Sequence, residues 1–430
     1  MTEQNQALVF KITGMTCGLC KSTVESSVES ATRNVGGVND VHADPQAGKA
    51  LVVGEGPELQ VATHCGVAWS ANSHCLALDG IRGLAILSVT LYRLCKELDP
   101  GSHPVIAVVR RFAPMGERGV DLFFVLSGFL ITGILLRSTG KPYYFRNFII
   151  RRSLRIFPLY FLSLTVGLGM VPSLFQTTAF NMPRLEQVFL WTYTSNLRMS
   201  WLNSWCFGPF DHFWSLAVEE HFYFVWPAVV FLLASKRLAI ACVGTIVFVG
   251  LARTFAAMNP GFDVAVDVST FFRADSLCLG ALLAILLSSS FPHQQVKRLA
   301  TIAILVLLPM LVAIAISGQR FLGIPNSLCP LFCMAGMAVI LLSHKRSMLV
   351  KAIENFCLRF LGKYSYGMYV VQLPLVTLLP LKSVITYLPT NPIGQSLLYL
   401  IAMFSLITAV AVLSFHLLES HFLRLKKIFH

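Results

Sequence analysis

Charge is what this 430-residue chain has little of. Only 13% of its residues are Asp, Glu, Lys or Arg, against roughly 25% in ordinary globular chains. Acid is scarcer than base, 21 residues against 34, so the formal net charge is +13. A composition 55% hydrophobic, with a mean hydropathy of +0.67, excludes a soluble multidomain protein for most of the length. The cations lie in short loops between apolar runs, so orientation in a membrane accounts for them and nucleic acid is excluded as the partner. Their excess can still attract anionic lipid or a phosphate-rich substrate. The N-terminus lacks the apolar core of a signal peptide, which leaves targeting to the first spanning helix. The 11 cysteines are scattered, most of them in apolar segments, and this excludes an extracellular disulfide framework. There is no low-complexity tract, no clear internal repeat, and no DKTGT-type phosphorylation stretch to drive a pump.

What the chain does have is long hydrophobic blocks. The block GVDLFFVLSGFLITGILL, residues 119–136, is long enough for a membrane-spanning helix. The cationic run RNFIIRRSLRIFPLYF, residues 146–161, follows it and carries Arg146, Arg151, Arg152 and Arg155 just before the next apolar segment. Cations there fix the direction of the helix and make an anion site at the membrane face. Spans are predicted at 77–94, 119–136, 154–174, 213–234, 238–257, 271–288, 298–317, 325–343, 364–381 and 396–418. The Lys and Arg of alternate loops, such as Arg137 to Arg152, Lys236 with Arg237, Lys297 with Arg298, Lys345 to Lys363 and Arg424 to Lys427, outnumber those of the intervening ones. Read with the positive-inside rule, this gives a polytopic α-helical membrane protein of about ten transmembrane helices with both termini cytoplasmic. The long outer loop 175–212 has a stretch at Leu185–Trp191 suited to the interface.

Residues 1–70 are different. ALVFKI, GVNDVHAD and KALVVGEG read as strands, KSTVESSVESATRN as a short amphipathic helix, and the stretch from Pro57 as a second helix. A linker at 71–76 then leads to a membrane domain over 77–427. GMTCGLC places Cys17 and Cys20 two residues apart at a strand-to-helix loop, where a helix N-terminus favours the thiolate. Two close thiolates suit a soft ion: Cu(I), Zn(II) or Hg(II). A redox dithiol is the other reading of the pair. With the strand pattern around it, GMTCGLC resembles the heavy-metal-associated domain of copper chaperones and metal-pumping ATPases. That resemblance implies a small α+β ferredoxin-like (βαββαβ) domain with Cys17 and Cys20 as ligands.

Ionisable residues inside spans are functional suspects. Arg82 and Arg93 lie about three turns apart on one face of the first span. Asp121 opens the second span. Glu219 and Glu220 sit in HFWSLAVEEHFYFVWP between His212 and His221. Arg273, Asp275 and Glu419 complete the set. Ion pairs within the bundle are the alternative for each of them.

The stretches LDGIRGLAIL, GVDLFFVLSGFLIT, FIIRRSLRIFPLYF, HFWSLAVEEHFYFVWP, GKYSYGMYV and LLESHFLRLK resemble, in order, those of the acyltransferase-3 family of bacterial membrane O-acyltransferases. The resemblance implies a multi-pass protein of the bacterial inner (plasma) membrane. It implies transfer of an acyl group, usually acetyl, from acyl-CoA to a hydroxyl of a glycan or lipid-linked sugar, with Arg151, Arg152 and Arg155 holding CoA phosphates. The family pairs the cation at Arg82 with a histidine eleven residues on, regarded as its base. This chain has Arg93 there, and arginine cannot accept a proton at neutral pH. Gln372 stands where the family often has a second histidine. His212, Glu219, Glu220 and Asp121 are candidates for the missing acceptor. Two other readings are a non-catalytic membrane scaffold or sensor that keeps the fold, and a metal-transport or delivery protein using the N-terminal pair with Cys329 and Cys333.

Overall fold

In the computed structural model, residues 6–11, 38–44, 49–54, 76–259, 261–289, 291–317, 324–344, 347–384 and 391–428 are described. The chain divides into two compact units, 1–75 and 76–430. In the first, β1 (Gln6–Lys11), β2 (Val38–Asp44) and β3 (Lys49–Gly54) form an antiparallel sheet in the order β1-β3-β2, with Val9 opposite Leu51 and Val41 opposite Val52. These strands match the predicted ones. Cys17, Cys20, both predicted helices and residues 71–75 of the predicted linker fall outside the described residues, while Leu76 already opens a helix.

The second unit is helical. Its main elements are α1 (Leu76–Lys96), α2 (Pro104–Phe112), α3 (Gly119–Ser138), α4 (Tyr144–Leu164), α5 (Arg184–Trp191), α6 (Ser195–Leu202), α7 (Trp214–Leu232), α8 (Ser235–Ala257), α9 (Thr270–Ser288), α10 (His293–Ser317), α11 (Ile324–Leu341), α12 (Phe356–Leu378) and α13 (Pro392–Ser414). Among the described residues, seven helical segments, those holding α3, α4, α7, α8, α9, α10 and α13, are long and apolar enough to cross a membrane, so this is a multi-pass membrane protein. α11 is shorter, and α1 and α12 are more polar, carrying Arg82 and Arg93 and Arg359 and Lys363 respectively.

One predicted boundary moves in a way that matters. α4 begins at Tyr144, well before residue 154, so Arg146, Arg151, Arg152 and Arg155 lie inside the helix and not in a tail leading to it. Hydropathy windows reject such turns because they count the charge and not the stem, whereas a long arginine can lay its stem on apolar surface and carry its head to a polar place.

Two helix pairs dominate the packing, α1 with α12 and α3 with α9. Between α1 and α12 the backbones touch. A Cβ on Gly362 would lie 1.9 Å from the Asp79 carbonyl oxygen, and one on Gly83 would lie 1.9 Å from that of Leu358. Small residues permit this approach where lipid gives no hydrophobic drive for helices to associate. The charged groups near the start of α3 and α9 are locked in a buried network. Arg273 donates from Nη1 to Asp121 Oδ1 at 2.8 Å and from Nε to the Asp267 carbonyl at 2.6 Å. Arg118 lies 3.5 Å from Asp121 Oδ2 and donates to Asn326 Oδ1. Arg253, fully buried, bridges Asp275 and Ser327. Asp121, Asp267 and Asp275 thus offset Arg118, Arg253 and Arg273.

Candidate active site

α1, α3, α4, α7 and α12 enclose a cavity of about 100 Å³. One part of its wall is cationic. Arg82 enters from α1, and Arg152 and Arg155, one turn apart on α4, enter from the facing helix. Arg82 Nη1 lies 3.3 Å from Asp79 Oδ1, and Arg152 stacks its guanidinium 5.8 Å from the rings of Phe148 and Tyr223. Lys426, just past the last membrane helix, does not line the cavity but lies within electrostatic reach of these arginines. Its ammonium is pulled down to about 7, first by burial and then by repulsion from Arg155, Arg152, Arg151 and Arg82. Burial is the larger cause, and the surrounding arginines add repulsion that a bound anion would relieve.

Glu219 is the acid on this wall. Its Oε2 accepts from the Tyr223 hydroxyl at 2.9 Å, and Tyr223 in turn meets Ser127 Oγ at 2.7 Å. All three side chains line the cavity. The rest of the wall is apolar, from residues such as Val120, Phe123, Phe124 and Leu130, except for Ser215, Tyr366 and Tyr369. The Ser215 and Tyr369 hydroxyls are 2.5 Å apart, and the Tyr369 hydroxyl donates to the His212 carbonyl at 2.9 Å. The cavity therefore offers guanidinium groups and hydroxyl groups together, in apolar surroundings that strengthen each polar contact.

The sequence candidates separate on this geometry. Arg82, Arg152, Arg155 and Glu219 share the cavity. Arg151 lies on α4 within electrostatic reach of Lys426 but off the cavity wall. Glu220 does not line the cavity, and its Oε1 is buried without a hydrogen-bond partner. Asp121 faces Arg273 and Arg118. Glu419 accepts from Ser414 at 3.3 Å. His212 is fully buried behind Tyr369, their ring centres 5.3 Å apart, with Nε2 3.2 Å from the Val370 carbonyl oxygen. Arg93 lies farther along α1, over the Tyr92 ring and within electrostatic reach of His212 and Tyr369. Gln372 is buried and accepts from Thr90 at 3.2 Å. Sequence reading did not single out Ser127, Ser215, Tyr223, Tyr366 or Tyr369. They lie within the quoted stretches, but hydroxyl residues raise no alarm in a membrane helix as a charge does. Among the described residues no group of three or more His, Cys, Asp or Glu is placed to hold a metal ion.

Residues 76–415 match the family described as an acyltransferase domain, and residues 9–63 match the heavy-metal-associated domain. The chain is similar to a Listeria monocytogenes peptidoglycan O-acetyltransferase, 30% identical over 70% of this chain and 49% of that protein. It is also similar to a Bacillus subtilis protein provisionally named a peptidoglycan O-acetyltransferase, 28% identical over 80% of this chain and 54% of that protein. A Staphylococcus aureus protein provisionally named an O-acetyltransferase is 28% identical over 68% of this chain and 49% of its own length. The chain thus spans about half the length of the curated relatives it matches. No solved structure matches.

Proposed function

This chain belongs to the acyltransferase-3 family, and from that membership we propose that it moves an acetyl group from acetyl-CoA to a carbohydrate hydroxyl within the bacterial inner membrane. The carrying observation is the gathering of Arg82, Arg152 and Arg155 on the wall of a largely apolar cavity, with Lys426 in electrostatic reach of them and Glu219 the acid among the lining residues. Guanidinium groups hold phosphate with paired, charge-assisted hydrogen bonds. The cluster binds the phosphates of the donor, and the thioester end reaches past Ser127 and Tyr223 toward Ser215 and Tyr369. If the loop charges set the orientation with both termini cytoplasmic, the cluster lies on the side where acyl-CoA is made. The peptidoglycan named in the relatives' titles supports a glycan acceptor.

The N-terminal unit binds a soft ion through Cys17 and Cys20, a donor set suited to Cu(I), Zn(II) or Hg(II). The order β1-β3-β2 supports the ferredoxin-like fold for it.

Membranes from cells with and without this protein, incubated with labelled acetyl-CoA and cell-wall glycan, test the proposal. Label should reach the glycan only when the protein is present, and Arg152→Gln should weaken use of acetyl-CoA. Equal labelling of both membranes overturns it. Arg93 favours a second reading, a scaffold without chemistry, which that same null result would support.

A further inference from the structure

The outer part of α1 and α12 holds polar atoms that the cavity does not explain. The side-chain atoms Arg93 Nε, Gln372 Nε2 and His212 Nδ1 are each buried with no hydrogen-bond partner. Buried polar atoms of native proteins are overwhelmingly paired, so each exception calls for a reason. These three belong together. Thr90, one turn before Arg93 on α1, bonds Gln372 on α12. Val370, two residues before Gln372, accepts from His212. His212 and Gln372 are both 0% exposed.

Their chemistry differs in a useful way. A carbonyl can only accept, so the contact with Val370 puts the ring proton of His212 on Nε2 and leaves Nδ1 as a bare lone pair. Arg93 Nε and Gln372 Nε2 can only donate. Two idle donors and one idle acceptor are what acyl transfer to a hydroxyl requires: donors for the oxyanion and an acceptor for the proton. The connection to the cavity runs through Tyr369, which lines it and whose hydroxyl is held by the His212 carbonyl.

We infer that His212 is the general base of this enzyme and that Arg93 and Gln372 form its oxyanion hole, the work of an absent histidine at position 93 being divided among them. The inference rests on the acyltransferase reading above. The acceptor oxygen attacks the thioester carbonyl carbon as its proton passes to His212 Nδ1. The carbonyl oxygen becomes an oxyanion that accepts from Arg93 Nε–H and Gln372 Nε2–H. Collapse restores the carbonyl and breaks the carbon–sulfur bond, and the departing sulfur takes the proton back from His212.

The test is the initial rate of label transfer from acetyl-CoA to cell-wall glycan in membranes holding equal amounts of each variant. His212→Gln keeps a donor for the Val370 carbonyl and replaces the basic ring nitrogen with a non-basic amide, so kcat should fall by about 100-fold or more. Arg93→Met and Gln372→Met should each lower kcat by at least about tenfold. KM for acetyl-CoA should stay within about twofold in all three, because its phosphates are held elsewhere. A His212→Gln rate above a tenth of wild type, or a loss confined to KM, overturns the assignment while leaving the acyltransferase reading intact. If wild-type membranes transfer no label, that reading fails and the assignment with it. If His212→Gln does not accumulate, the two methionine variants decide, and normal kcat in both overturns the oxyanion hole and the assignment.

Discussion

Arg253 grips Asp275 with both prongs of its guanidinium, Nη1 2.9 Å from Oδ2 and Nη2 3.0 Å from Oδ1, at side-chain exposures of 0% and 1%. The pair joins α8 to α9, and Ser327 ties it to α11. Removing one partner of a buried pair strands the other charge, which costs about 3–5 kcal/mol. Asp275→Ala should therefore lower the thermal midpoint of the detergent-solubilised protein markedly. The double change Arg253→Met with Asp275→Leu should recover much of the loss. An unchanged midpoint in the single variant would show that the pair contributes nothing.

The contact of α1 with α12 makes a second prediction. Gly362→Ala sets a methyl group against the Asp79 carbonyl, where a Cβ has only 1.9 Å. The helices must part, at a cost of roughly 1–3 kcal/mol or more. Since Arg82 and Tyr369 sit on these two helices and share the cavity, transfer activity should fall along with the melting midpoint. Full activity at a wild-type midpoint would mean that the close approach is dispensable.

Arg152→Gln and Arg155→Gln should raise KM for acetyl-CoA by roughly 10- to 100-fold each, the range of a lost charge-assisted hydrogen bond. The effect on kcat should be much smaller. Titration of binding with desulfo-CoA, which keeps the phosphates and lacks the thioester, isolates this step. Unaltered affinity in both variants would detach the cluster from the donor.

Lys426 gives a pH dependence. Its folded value, about 7, lies below the usual lysine range because burial and the surrounding arginines disfavour its charge. A bound phosphate favours the charged form, so binding takes up a proton above pH 7. Donor affinity should therefore weaken as pH rises from 7 to 9, and Lys426→Gln should flatten that slope. For the ligand-free protein the sign is opposite. The unfolded chain keeps this lysine charged up to its ordinary value, so stability from this group grows as pH rises above 7.

In the N-terminal unit, Cys17→Ser combined with Cys20→Ser should abolish binding of Cu(I) measured by competition with a chromophoric chelator. Acyl transfer by the same variant should be unchanged. Retained high-affinity binding would place the ion elsewhere.

The apolar runs were legible because a spanning helix must satisfy its own backbone and bury nothing polar against lipid. The strands of 1–75 were legible from alternation. The inward turn of Arg152 and Arg155 was not, since charge alone does not say whether an arginine faces water or a cavity. Asp121 and Arg273 were both suspects, yet 152 positions separate them, and no local pattern announces that they pair. Arg253, the most buried arginine of the network, sits in an ordinary apolar run, LARTF, and drew no notice. The hydroxyl wall of Ser215 and Tyr369 depends on α7 meeting α12, which is tertiary information throughout.

Arg82 and Arg93 stand on one unbroken helix, α1. Eleven residues at 1.5 Å each separate them by roughly 16 Å, so, on the reading proposed above, α1 would act as a fixed gauge between the place where the donor's charge is held and the place where its carbonyl must arrive. Inserting a single alanine between them would keep both arginines but turn one away from the other by about 100°, and on that reading it should disable transfer without removing any functional group.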